Sequence, residues 1–316
     1  MIWTNIMQPN NYIHLYYTLI MVNLIQELLP DIASEDIQPA PSDDKCAPTK
    51  QFEDYSCIPL NILIEMANAY NTDNPTNPIK LSSKLDTLNP TKHKRYLIHQ
   101  FKQIFPNCKD QICWTKQSFI KKMQTQAQQE LLTNTFRPTG PNGKFEWLNT
   151  IHIDDVMAQY ENKYPDFEYL GTVPIDFDDL PDLGIKTLDF NELIQRKKTK
   201  LGIIFNLDRH DQSGSHWVAA YADLQKGAIY FFDSYGECPE PQIRKLLRRI
   251  HKFCSQTIPK PICEYNKIQA QHENSECGVY SINFILRLLK GDTFEQICNE
   301  KVADSKINKC RMVYFS

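Results

Sequence analysis

The sequence predicts an α+β protein, and three observations carry that expectation. Residues 51–135 read as helices without a clear strand. Residues 200–232 hold three short apolar runs separated by turns. After them the chain returns to helices, of which the last is strongly apolar. Segregated runs of this kind, in the order helices, strands, helix, strand, helix, differ from the steady alternation of a parallel βαβ chain.

A chain of 316 residues is long enough for one large domain or two smaller ones. Its hydrophobic share of 41% supports a packed core, which excludes a wholly disordered protein. The formal net charge of −3 indicates neither a globally basic nucleic-acid binder nor an acidic solvating chain.

Met1 to Gln26 contains no Lys, Arg, Asp or Glu, and Tyr12 to Leu29 is fairly apolar. A signal peptide would need a basic start and a small-residue cleavage site, and both are missing. A spanning helix would need about 20 mostly apolar residues, but Asn23 and Gln26 interrupt the run. An amphipathic or poorly ordered extension with no clear membrane anchor is expected, and Met7 or Met21 could be the true start. Residues 30–50, with Pro30, Pro39, Pro41 and Pro48, read as an irregular arm.

Helices follow. Leu60, Leu63, Ile64, Met66 and Ala67 fall at helical spacing. Leu97, Ile98, Phe101 and Ile104 mark a second helix over about Thr91 to Phe105, and a third covers about Ser118 to Leu132. Pro138 to Gly143 is a cluster of turn residues and the best boundary. The expected organisation is an arm over 1–50, a helical accessory region over 51–135 and a main domain over 140–316.

In the main domain a helix is expected over about Ile153 to Lys163, a strand over Phe167 to Val173 and a helix over Phe190 to Gln195. Lys200 to Asn206, Trp217 to Tyr221 and Ala228 to Phe232 read as neighbouring, mostly antiparallel strands. Pro241 to Cys254 reads as an amphipathic helix with Ile243, Leu246, Leu247 and Ile250 inward and five Lys or Arg residues outward. Tyr265 to Ala270 is a further strand candidate. Cys277 to Lys290 is an apolar helix stopped by Gly291.

Ten cysteines in a chain this long do not make a dense disulfide framework, and none pairs at zinc-knuckle spacing. Most are expected to be small buried hydrophobes in a reducing compartment. Cys277 differs from the others because it opens a helix. Unpaired N–H groups and the helix dipole there favour thiolate, although a buried structural cysteine would fit the position equally well. Gly278, without a Cβ, would let a substrate backbone approach.

A thiolate needs a base. Among eight histidines His216 stands out, just after a Gly-Ser turn and at the start of an apolar strand, although a lone histidine is more often structural. Asp233 ends the neighbouring strand, where it could orient the imidazole or simply form the Asp-Ser-Tyr-Gly turn. Gln271, six residues before Cys277, could donate its amide to an oxyanion or be an ordinary polar turn residue. Taken together, the four support nucleophilic catalysis more strongly than any one of them alone.

The ordered pattern Gly-Ser-His216-Trp217, Phe-Phe-Asp233-Ser, then Gln271 and Cys277-Gly278 resembles the adenain and Ulp1 class of cysteine proteases. Trp147-Leu148-Asn149 matches the motif that opens that domain. The likeness covers about residues 140–316. Cys46 to Leu60, Gln111 to Lys116 and Phe167 to Leu180 extend it, over most of the chain, to the thiol proteases of large DNA viruses. The resemblance implies a papain-like, Ulp1-like core with a mixed sheet flanked by helices. It implies His216, Asp233, Gln271 and Cys277 as catalytic residues and needs no cofactor or metal. Trp147 and Trp217 would flank a narrow channel for a Gly-Gly-like backbone, with core packing as their ordinary alternative.

The function implied is an endopeptidase that cleaves after small residues of the Gly type and processes capsid or core precursors in the virion or host cytoplasm. Its partners would be such precursors or ubiquitin-like conjugates. Thr150 stands where the SUMO-specific branch has Asp, which favours polyprotein processing. The alternatives are a deubiquitinase or deSUMOylase, and an inactive peptide-binding module. DNA contact through the basic helix 244–252 is a further expectation.

Overall fold

The structure, a computed structural model, describes residues 44–141, 145–300 and 302–316. The chain divides into two compact units, one ending at Phe136 and the other beginning at Arg137. The extension before residue 44 and part of the 138–143 turn cluster lie outside the described residues. Among the described residues no helix is long and apolar enough to cross a membrane.

The first unit packs helices α1 (Leu60–Asp73), α2 (Ser83–Leu88), α3 (Pro90–Ile104) and α4 (Thr125–Asn134) around Leu63, Met66, Phe101 and Trp114. Asn89 caps α3 by accepting from Lys92 N, and Pro90 occupies the first turn, where its missing N–H costs nothing. The third expected helix is broken. Ser118–Lys122 is a 3-10 turn, and α4 starts only after Met123 and Gln124 take extended backbone. Burial of Phe119, Ile120 and Met123 on this core selects the break.

The cysteine expectation needs correction. Cys46 is bonded to Cys57 and Cys108 to Cys113. Of the six free cysteines, Cys254 and Cys277 are buried, Cys298 and Cys310 are half-buried, and Cys238 and Cys263 are exposed. Most are therefore not small buried hydrophobes, because pairing and surface position are set by contacts that spacing does not encode.

The second unit is built on a five-stranded mixed sheet in the order β1 (Phe167–Pro174), β2 (Lys200–Asn206), β3 (Trp217–Asp223), β4 (Ala228–Phe232) and β5 (Ile262–Tyr265). β1 runs parallel to β2, and β4 to β5; β3 is antiparallel to both its neighbours. Side chains alternate between the two faces. Leu201, Ile203 and Phe205 of β2, with Val218, Ala220 and Ala222 of β3, pack towards helices α6 (Phe190–Gln195) and α7 (Pro241–Cys254). Ile204, Trp217, Ala219 and Tyr221 pack on the other face against α5 (Thr150–Lys163) and α8 (Cys277–Lys290). With both faces covered, the central strands read as continuous apolar runs.

β5 falls earlier than the sequence suggests, at Ile262–Tyr265 instead of Tyr265 to Ala270. It is a mostly exposed edge strand, so no apolar run marks it. Three short helices close the chain: α9 (Phe294–Asn299), α10 (Asp304–Lys309) and α11 (Arg311–Tyr314). The strand directions place the site. Because β3 alone runs opposite, its first residues share one end of the sheet with the last residues of β1, β2, β4 and β5.

Candidate active site

His216 directly precedes β3, and its carbonyl accepts from Leu207 N at 2.9 Å, past the end of β2. Asp233 directly follows β4. The β3–β4 register, Ala219 opposite Phe232, therefore brings both residues to the same end of the sheet. His216 Nε2 donates to Asp233 Oδ1 at 2.7 Å. Since Nε2 is engaged by the carboxylate, Nδ1 is the ring nitrogen left to take or give a proton. Burial alone would lower the imidazole pKa. The bond to Asp233, with the Asp233 and Cys277 side chains beside the ring, outweighs it and raises the value to about 9.

Cys277 is the first residue of α8 and is 3% exposed. The helix beneath it is held by burial of Val279, Ile282, Phe284 and Ile285, and it ends where Gly291 takes φ 106°. At Gly278 a Cβ would lie 3.1 Å from Leu148 Cβ and 3.3 Å from Trp217 Cδ1. The missing side chain lets the helix start pack closely against these residues.

Gln271 is fully buried. Its Oε1 accepts from Ser234 Oγ at 2.7 Å and its Nε2 donates to Glu273 O at 2.7 Å. An amide nitrogen carries two hydrogens, so one remains for a further acceptor. The backbones of Ala270 and Gln271 both donate to Ser234 O, which ties this loop to the end of β4 beside Asp233.

Each residue of the Trp147-Leu148-Asn149 motif has its own task. Asn149 caps α5 by accepting from His152 N at 2.9 Å. Leu148 is buried over Gly278, and its carbonyl accepts from Trp217 Nε1 at 2.9 Å. Trp147 is 50% exposed and Trp217 only 6%. The two tryptophans line one groove of about 420 Å³, together with Thr150 and the loop from Asp208 to Gly214.

Several contributors carried no legible signal. Tyr235 stacks on the His216 ring with centroids 4.7 Å apart, and its N–H donates to Asp233 Oδ1 at 2.9 Å. Asp304 of α10 accepts from His272 N at 2.8 Å, Glu273 N at 3.0 Å and Tyr280 OH at 3.0 Å, and so clamps the loop between Gln271 and Cys277. Glu276, also buried, accepts from Ser275 and from Asn308 Nδ2. Ser234 and Tyr235 lie in the Asp-Ser-Tyr-Gly turn, which was visible only as turn chemistry. Asp304 lies more than 25 residues beyond Cys277 in a short helix with no local mark.

A helix-start cysteine near an imidazole that a buried carboxylate holds is equipped for nucleophilic acyl transfer. The comparisons agree with that class. Residues 191–314 match the Ulp1 protease family, C-terminal catalytic domain. A thiol protease of Acanthamoeba polyphaga mimivirus is 36% identical over 279 residues, covering 85% of this chain and 92% of that protein. The SUMO-1 cysteine protease of African swine fever virus is 23% identical over 201 residues, 58% of this chain and 73% of that one. A crystal structure of the African swine fever virus protease covers 89% of this chain and 98% of its own, with TM-score 0.63 and 20% identity, and shares the fold. The chain belongs to the Ulp1 protease family and is a cysteine-type peptidase that groups with viral members. Its substrates are polypeptides.

Proposed function

We propose that this peptidase is an endopeptidase that cleaves after Gly-type residues in virion precursor proteins. In this reading Cys277 is the nucleophile, His216 the base and acid, Asp233 the orienter and Gln271 an oxyanion donor. The observation that carries it is the 2.7 Å bond from His216 Nε2 to Asp233 Oδ1, with Cys277 near enough to the same ring to raise its pKa.

The thiolate adds to the scissile carbonyl, forming the C–S bond. The oxygen takes the negative charge, and the Gln271 amide and the Cys277 N–H donate to it. The His216 imidazolium gives its proton to the amine as the C–N bond breaks. Water then adds to the thioester while His216 takes a proton, and collapse releases the acid and re-forms the thiolate. Trp147 and Trp217 line one groove, and in this reading they confine the substrate there to residues with no side chain. Action in the virion or the host cytoplasm follows from such a role.

A second reading, cleavage of ubiquitin-like conjugates, is favoured by the SUMO-1 protease name of the African swine fever virus relative. Contact with DNA through α7 has less support, because Lys245 and Arg249 lie against Asp178 at 3.4 and 3.2 Å, although Lys245 stays exposed together with Arg244, Arg248 and Lys252.

The test compares the parent protein with Cys277→Ala on Gly-Gly-containing precursor peptides and on Gly-Gly-ended ubiquitin-like conjugates. Parent cleavage of the peptides and none by the variant is expected. Cleavage by Cys277→Ala would remove the nucleophile, and parent activity on conjugates alone would favour the second reading.

A further inference from the structure

A second histidine–carboxylate pair lies on the groove, away from Cys277. Asp176 follows β1 and is 4% exposed. Both its oxygens serve His210: Oδ1 accepts from His210 N at 3.0 Å and Oδ2 from His210 Nδ1 at 2.6 Å. The Arg209 guanidinium approaches the same oxygen at 3.4 Å. Burial raises the carboxyl pKa, but the His210 ring and backbone bonds outweigh it and hold Asp176 below the usual carboxylate range. The His210 side chain is nonetheless 49% exposed and lines the groove. A buried carboxylate is thus committed to fixing the rotamer of an exposed imidazole. With Nδ1 engaged, Nε2 is the ring nitrogen that can meet a ligand.

The surrounding loop is braced independently of this pair. Asn206 Oδ1 accepts from Asp208 N at 2.9 Å and Ser215 N at 3.2 Å. Asp208 accepts from Gly214 N at 3.1 Å and Ser215 Oγ at 2.7 Å. The backbone of the loop would therefore hold without the imidazole, so shaping the loop does not by itself account for the orienting carboxylate.

We propose that His210, oriented by Asp176, is a specificity-determining residue that hydrogen-bonds the backbone of an extended substrate polypeptide in the outer part of the groove. The sheet order sets the distance. Trp217 opens β3 beside Gly278, whereas Asp176 follows β1, two strands away. Two strand spacings amount to roughly 10 Å, about three residues of extended chain. His210 therefore meets the substrate about three residues from the one seated at Trp217. The site selects an extended segment around the cleavage point, beyond the Gly-type residues themselves. This rests on the peptidase reading above and deepens it.

The test uses two substrates with the same Gly-Gly, a blocked reporter too short to reach His210 and a long peptide extended on both sides. His210→Ala is expected to raise KM for the long peptide about tenfold, the effect of one lost hydrogen bond, with kcat unchanged. The same variant leaves the short reporter at parent values and the melting temperature unaltered. Asp176→Asn, which frees the ring without deleting it, moves the long-peptide KM in the same direction, and its own melting curve separates any folding loss. Equal losses on both substrates, or no change on either, would overturn the proposal. Failure of the parent protein to cleave either peptide would instead remove the peptidase reading, and this inference with it.

Discussion

The Asn266 side chain brackets the backbone of Asp233: its Oδ1 accepts from Asp233 N at 2.8 Å and its Nδ2 donates to Asp233 O at 2.6 Å. The Asn266 backbone N–H still donates to Phe231 O of β4 at 3.3 Å, and its side-chain amide carries the pairing on to Asp233. The peptide that carries the Asp233 carboxylate is thereby fixed, and with it the orientation of His216. Asn266→Ala leaves the buried Asp233 N without a partner, at about 1–3 kcal/mol, while Asp233 O keeps the bond from Gly236 N at 2.8 Å. It is expected to lower both thermal stability and kcat/KM. Unchanged kcat/KM in a destabilised variant would show that the bracket serves folding alone.

The His216–Asp233 pair predicts a pH dependence. The imidazole pKa is raised from 6.5 to about 9, so the charged ring is favoured in the folded protein. Its contribution to stability is complete below about pH 6.5 and is lost as pH rises through about 9. The basic limb of kcat/KM is expected near pH 9, where the imidazolium loses its proton. Asp233→Ala removes two of the influences that raise the value, so the limb moves to lower pH and the rate falls about 10²-fold or more. A limb that stays in place would show that Asp233 does not set the charge of His216.

Gln271 and Asp304 should separate in kinetics. Gln271→Ala deletes a proposed oxyanion donor and is expected to lower kcat about 10²–10³-fold with KM nearly unchanged. Asp304→Ala removes the acceptor of the His272 and Glu273 N–H groups, loosening the loop there. It is expected to lower kcat less and to lower the melting temperature as well. A rise in KM alone for Gln271→Ala would place that side chain in ground-state binding.

Tyr235 stacks on the imidazole through its ring, so its hydroxyl is dispensable to that contact. Tyr235→Phe is expected to keep parent activity. Tyr235→Ala loses a stacking contact of about 0.5–1.5 kcal/mol, a fewfold to tenfold loss in kcat/KM. Equal losses in the two variants would assign the role to the hydroxyl instead.

The features legible before folding are those that depend on local pattern. The central strands are legible because burial on both faces demands unbroken apolar runs, as in Lys200–Asn206. The helix start at Cys277 and its stop at Gly291 follow from composition and backbone freedom. His216, Asp233 and Cys277 were readable because each sits at the end or start of such an element, whereas Gln271 lies in the loop before α8 and was read from its spacing to Cys277. Tertiary structure alone decided which side chains meet across long separations. Asn266 reaches Asp233, Asp304 reaches His272, and Asp176 reaches His210 over more than 30 residues each. It also paired Cys46 with Cys57 and set Gly278 closely against Leu148 and Trp217. The physical reason is common to all of these. Hydrophobic period records how each element is buried, whereas a polar partner is chosen by the register and direction of strands, which no single segment contains.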